Sequence, residues 1–101
     1  MIARLWRARI DPARGAEYDT FARERSLPTF AAHAGFRGCA FLGDGADRSV
    51  LTLWESAADA DRLDTSPRYR ATVAAIMAAG FVLSAEPVVV ADVSGYGRPD
   101  R

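Results

Sequence analysis

The chain predicts an α+β fold in which a four-stranded antiparallel sheet carries two helices on one face, in the order strand, helix, strand, strand, helix, strand. Three observations carry that expectation. The stretch from Ser49 to Ser56 reads Ser-Val-Leu-Thr-Leu-Trp-Glu-Ser. Its period of two puts Val50, Thr52 and Trp54 on one face and Leu51 and Leu53 on the other, a strand buried on both sides. The strand then runs straight into a helix start, with Ser56 as cap and Asp59 three residues later completing a box-like opening. Finally, 101 residues, half of them apolar, are enough for one core and one domain.

Taken in order, Ile2 to Ile10 is a strand with Ile2, Trp6, Ala8 and Ile10 on one face, and Ala3 and Leu5 followed by Arg7 and Arg9 on the other. Asp11-Pro12 ends it. From about Ala13 to Ser26, Tyr18, Phe21 and Ala22 form an apolar stripe while Glu17, Arg23 and Glu24 face water, the pattern of an amphipathic helix. Pro28 cannot donate to the carbonyl four residues back, so a break or kink is expected near Leu27, with Thr29 to Ala34 as a short second turn that carries Phe30 over the open end of the interior. Phe36 to Leu42 is the second strand, and Gly43 to Asp47 a glycine-rich hairpin loop leading into the Trp54 strand.

A short helix follows to about Asp64, and Ser66-Pro67 restarts it. Tyr69, Val73, Ile76 and Gly80 lie on one face of that second run, which Gly80 terminates. Val88 to Val93 is the last strand. Residues 1–94 make up the domain and 95–101 a flexible, exposed tail. With right-handed crossovers this is a ferredoxin-like βαββαβ arrangement. Its helices cover one face only, yet Leu5, Leu51 and Leu53 lie on the other. A bare apolar sheet of that size calls for a partner, and a second copy of the chain packed sheet to sheet is expected.

Composition excludes several functions. Thirteen basic and thirteen acidic residues cancel, which removes the electrostatic case for nucleic acid or an anionic membrane. Every basic residue is Arg, and Lys, Asn and Gln are absent, so no Schiff-base or phosphate-loop lysine and no side-chain amide is available. The lone Cys39 cannot form an internal disulfide, and no N-terminal apolar run resembles a leader or membrane span, which points to a reduced, cytoplasmic setting. No group of residues has zinc-ligand spacing, and Asp44 and Asp47 lack the length and terminal Glu of a calcium loop.

Met1-Ile2-Ala3-Arg4-Leu5-Trp6-Arg7 at the start, Arg25-Ser26-Leu27-Pro28 at the end of the first helix and Leu53-Trp54-Glu55-Ser56 at the close of the third strand together resemble the antibiotic biosynthesis monooxygenase family. The resemblance spans the chain to about Val93 and implies a dimeric α/β barrel. It also implies, as one of several family activities, oxygenation of polyketide- or quinol-like phenols without cofactor. In the anthrone oxygenases of that family an Asn four residues before the Trp and a Tyr six after it act with it. Here those positions are Val50 and Ala60. In the heme-degrading branch a second Trp and a His follow the first, where this chain has Leu63 and Val73, and a strand-one Asn has no counterpart. The resemblance therefore favours the cofactor-free chemistry over heme degradation.

Such chemistry asks for a closed apolar cavity with few polar groups, because a deprotonated, electron-rich aromatic reduces O₂ itself. Trp54 is expected as a cavity wall and indole donor, Tyr69 as a hydroxyl donor from the second helix, and His33 as the sole group titrating near neutrality and so the candidate base. Tyr18, Phe21, Phe30, Thr52 and Val73 are the expected substrate-binding lining. Arg4 shares its strand face with Trp6 and could bind a phenolate, and each of these has a plain structural alternative: Trp54, Tyr69 and Tyr18 as core, His33 as an exposed loop residue, and Arg4 as a strand-end cation paired with a carboxylate such as Glu55 or Asp92. Cys39 reads as a buried, inert thiol. Two other functions fit the same scaffold. A non-catalytic ligand-binding or structural dimer would pack these side chains solid, and an isomerase or cyclase would need a proton-transferring group.

Overall fold

The computed structural model describes residues 1–99; Asp100 and Arg101, the end of the expected tail, lie outside the described residues. Strands β1 (Ile2–Ile10) and β3 (Asp47–Trp54) form the centre of an antiparallel sheet, with Leu5 opposite Leu51 and Trp6 opposite Val50. On one side β3 is bordered by β2 (Phe36–Asp44). On its other side β1 pairs with β4 (Val82–Ala85) and β5 (Val89–Asp92), laid end to end. The arrangement is the expected ferredoxin-like one, with the place of the last strand shared by two pieces.

That division corrects the single strand expected at Val88 to Val93. Ala85 pairs with Ala8 and Val89 with Leu5, so three residues, Glu86, Pro87 and Val88, stand against two, Trp6 and Arg7. Pro87 has no N–H for the ladder, and the chain bulges around it while the Glu86 N–H donates to the Arg7 carbonyl at 2.9 Å. The hairpin is tighter than expected: Asp44 pairs with Asp47, leaving only Gly45 and Ala46 to turn. Gly43 at φ +100° and Gly45 at φ +59° supply the left-handed backbone that this needs.

The helix does not break near Leu27; its irregularity there is a π turn ending at Ser26. The helical run continues from a 3₁₀ turn, Pro12–Arg14, through α1 (Gly15–Phe21), a π turn, Ala22–Ser26, and α2 (Leu27–Ala31). The Leu27 N–H donates to the Ala22 carbonyl, five residues back, and the wider turn gives the ring of Pro28 the room that an α-helix interior denies it. Across the β3–helix junction the expectation holds. The Ser56 oxygen accepts the Asp59 N–H at 3.2 Å and its hydroxyl donates to the Asp59 carboxylate at 2.9 Å, capping α3 (Ala57–Asp61). After a 3₁₀ turn, Ser66 caps α4 (Pro67–Ala78) by accepting the Tyr69 N–H at 3.2 Å. Gly80 at φ +84° ends the run.

Helices and sheet meet in two packed clusters at opposite ends of β1. Ile10, Tyr18, Ile76 and Phe81 form one, and Trp54, Ala60 and Leu63 the other, joined by Ile2, Phe30, Phe36 and Tyr69. The inner face also buries Arg48, which spans from Asp19, at 2.5 Å, to the ring of Tyr18, 5.1 Å from its guanidinium carbon. On the outer face Leu5, Leu51 and Leu53 are half-buried, Leu53 bordering a hollow shared with Met1, Arg37, Tyr96 and Arg98, and Val89 beside Leu5 is 56% exposed. No described helix is long and apolar enough to cross a membrane.

Candidate active site

Between the two packed clusters the inner layer is hollow. A cavity of about 360 Å³ lies there, within the size range of small-molecule sites. Its floor is Arg4 and Trp6 of β1 with Val50 and Thr52 of β3, and one wall is Tyr18, Ala22, Ser26, Thr29 and Phe30 of the first helical run. The opposite wall is Tyr69, Thr72, Val73, Ile76 and Met77 of α4, and the bulge Glu86-Pro87-Val88 borders a further side. The stripe Tyr18, Ala22, Ser26, Phe30 advances by four residues at each step. In a pure α-helix it would drift by about 40° per step and leave the cavity; the wider π turn takes back part of that drift.

Of the residues expected from the sequence, Tyr69, Tyr18, Phe30, Thr52 and Val73 line this cavity. Trp54 does not. It is fully buried against Ala60 and Leu63, with Phe36 edge-on at 5.6 Å, and its indole N–H donates to Thr52 Oγ1 at 2.9 Å. Ala60, one helical turn beyond the cap, leaves room for the indole, and α3 closes over it. Trp54 therefore meets the cavity through its lining, by the hydrogen bond to Thr52 and the packing of its cluster against Phe30 and Tyr69. Phe21 also lies outside, packed edge-on against Phe81 at 6.2 Å with Arg25 over its ring.

His33 is neither an exposed loop residue nor part of the cavity. It is half-buried between α2 and α4, with Nδ1 at 2.7 Å from the Thr29 carbonyl and Nε2 at 2.6 Å from Ser66 Oγ. A carbonyl only accepts, so Nδ1 carries a proton and donates to it. The imidazole ties two helices together, and its nitrogens are occupied by that task.

Besides Ser26, three polar features of the cavity lie outside the expected set. The first is Arg4, at 7% exposure the most buried charged group of the site. Its Nη2 donates to Asp64 at 3.0 Å, not to Glu55 or Asp92, and its guanidinium carbon stands 5.5 Å from the centre of the Tyr69 ring. Burial alone would lower its pKa; the adjacent Tyr69 oxygen and Asp64 carboxylate outweigh that and raise it, so the charge stays. The second is a hydroxyl pair, Thr29 Oγ1 and Thr72 Oγ1, 2.7 Å apart across the helix interface. Each also lies within reach of the carbonyl one turn back, Arg25 and Arg68, at 2.8 and 3.1 Å. Two protons serve three acceptors there, so the pair can accept from a ligand but has no donor to spare. The third is Glu86, an exposed carboxylate at the bulge.

The sequence does carry signals for these residues. Thr72 sits within the Tyr69, Val73, Ile76 stripe, and Arg4 between Ile2 and Trp6 on an inward-facing strand edge, each a polar group where the pattern demands an apolar one. The bulge that brings Glu86 inward is signalled only by Pro87. Tyr18 has an orphan: its hydroxyl is buried with no hydrogen-bond partner among the described residues, and burial pushes its pKa up to about 12. Burial likewise pushes the Cys39 thiol up to about 11, in keeping with an inert residue. No group of three metal-ligating side chains occurs among the described residues.

Solved structures share this architecture from end to end. SnoaB, a cofactor-independent oxygenase from Streptomyces nogalater, superposes with a TM-score of 0.76 at 16% identity, covering 94% of this chain and 94% of its own. The ActVA-Orf6 monooxygenase of Streptomyces coelicolor, solved in complex with nanaomycin D, gives a TM-score of 0.80 at 16% identity, over 98% of this chain and 92% of its own. A protein of unknown function from Nitrosomonas europaea gives 0.76 at 19% identity, over 99% and 95%. No protein-family model and no curated protein matches the chain in sequence. At these identities the likeness is one of fold.

Proposed function

For a chain with the fold of the antibiotic biosynthesis monooxygenases, we propose a monooxygenase that uses O₂, without metal or flavin, to oxidise a hydroxylated aromatic of polyketide or quinol type. The observation that carries this reading is the hollow between the two packed clusters, aromatic-walled and hydroxyl-dotted, where a structural dimer would be solid. The deprotonated aromatic supplies the electrons. One atom of O₂ stays on the oxidised carbon and the other leaves as water with the two hydrogens removed. The protein's part is to hold the reactive pair out of bulk water and to keep the phenolic oxygen ionised.

Tyr69 is the group best placed to touch that oxygen, from the α4 wall beside Arg4 and tilted against Phe30 at 6.2 Å between ring centres. Thr52 sits in the floor with its hydroxyl held by the indole of Trp54, which makes Trp54 a positioning residue. Metal-stripped protein is expected to accelerate oxygen uptake with at least one member of a panel of hydroxylated anthrones and naphthalenes. Tyr69→Phe should slow it by the equivalent of about 1–3 kcal/mol, the worth of one hydrogen bond in an apolar site. Uptake no faster than in buffer would leave a ligand-binding protein that does no chemistry, and accelerated uptake unchanged by Tyr69→Phe would remove Tyr69 from the reaction.

The same proposal includes a homodimer through the outer sheet face, supported by the half-buried Leu5, Leu51 and Leu53, over which no helix lies, and by the exposed Val89 beside them. Sedimentation at micromolar concentration should give twice the chain mass. Leu53→Arg should abolish the dimer and promote aggregation, because a charge without a partner would sit in the interface. A well-folded monomer refutes this part alone.

A further inference from the structure

We infer that the cavity selects aromatic ligands that carry an anionic oxygen, a carboxylate or a phenolate, and that the Arg4 guanidinium is the group that selects them. The inference deepens the reading of the hollow as an aromatic site and depends on it only in that the ligand is aromatic.

Arg4 is buried to 7% exposure, lies in the cavity floor, and of its five N–H groups spends one on Asp64 and turns another toward the Tyr69 oxygen. Its remaining donors are not sealed away without partners, since the Tyr18 hydroxyl is the buried polar atom in that condition among the described residues. They open on the cavity. Asp64 does not cancel the charge there. The Arg4 side chain is 9% exposed and that of Asp64 63%, so the carboxylate is screened by water while the guanidinium is not.

A neutral aromatic entering this space would strip the water that solvates Arg4 and return nothing for it, a cost that sets a buried cation apart from the apolar walls around it. An aromatic with a carboxylate or phenolate replaces that water with a charge-assisted hydrogen bond, and a carboxylate can meet the guanidinium at two points. Glu86 fixes which way round the ligand lies. Its carboxylate is exposed at the bulge while Arg4 is buried in the floor, so an anionic end is repelled at one depth and held at the other.

The test uses matched ligands and needs no turnover. Calorimetry of the wild-type protein with naphthoate and with naphthamide, equal in shape and differing in charge, should show naphthoate binding about tenfold tighter or more. Arg4→Met should bring the two affinities together, and Arg4→Lys should keep the preference. In parallel, the visible spectrum of an unreactive hydroxyanthraquinone, titrated when bound, should show its phenol ionising at lower pH in the wild type than in Arg4→Met. A naphthoate preference assigns the anion as carboxylate and a shifted phenol as phenolate, and either supports the inference. Equal affinities in the wild type together with an unshifted phenol overturn it, whatever becomes of Arg4→Met as a folded protein. A preference found without any oxygen uptake would fault the oxygenase reading and leave the selectivity standing.

Discussion

The layer between helices and sheet is solid around Trp54 and hollow above Arg4, although both regions are built on neighbouring positions of the same two strands. At the Trp54 end a small residue, Ala60, and a fully buried Leu63 let α3 and its 3₁₀ turn settle directly on the indole. Above Arg4, the first helical run and α4 meet each other through the Thr29–Thr72 hydroxyls, and the sheet below them is left uncovered. What separates a packed core from a binding site here is where the helices touch, since aromatic content is similar in both.

The contrast can be broken by truncation. Leu63→Ala, in the solid end, should cost about 2–5 kcal/mol in denaturant unfolding, the range for deleting a fully buried leucine. Val73→Ala, on the hollow wall and 38% exposed, should cost well under that, because its neighbours already border empty space. Equal losses would mean that the cavity closes in solution.

A smaller effect sharpens it. The Tyr18 hydroxyl, buried without a partner at the margin of the hollow, has its pKa raised from 10 to about 12. A raised folded-state value favours the neutral form. The contribution is complete below pH 10 and is lost as the pH climbs to 12, where the unfolded chain ionises first. The two-unit rise corresponds to about 2–3 kcal/mol across that window. Tyr18→Phe should therefore flatten the alkaline arm of the stability curve, and near neutrality should be neutral or slightly stabilising, since it removes a polar group that bonds to nothing. Parallel alkaline curves for the two proteins would place the ionised phenol in contact with water.

The same contrast shows what could be read from the chain. Strand β3 with its Ser56 cap, the α4 start at Ser66-Pro67 and the uncovered leucine face follow from period, capping chemistry and face counting, which act within a few residues. The lining by Tyr18, Phe30, Thr52, Tyr69 and Val73 follows because inward-facing positions are few on so small a sheet. Trp54 and His33 went elsewhere for reasons of tertiary distance: Ala60 admits the indole to the core, and Ser66, on another helix, claims the imidazole. Arg4 pairs with a carboxylate as expected, but with Asp64, which lies sixty positions away and beyond the reach of strand pairing rules. The edge bulge turns on how residues either side of Pro87 pair with β1, a matter of register that no local pattern expresses.

The π turn at Ala22–Ser26 has one more consequence, an angular one. Rewinding the same residues as ordinary α-helix, with none removed, would preserve helix content, yet everything beyond would swing by roughly 90° about the axis. Ser26, Thr29 and Phe30 would then point along the surface, the hydroxyl partner of Thr72 would be gone, and Pro28 would press on a carbonyl it now clears. The turn thus behaves as a fixed wedge of rotation stored in the chain, aiming the far half of one wall. A helix of the same length and composition without it could cover this sheet but could not enclose this cavity.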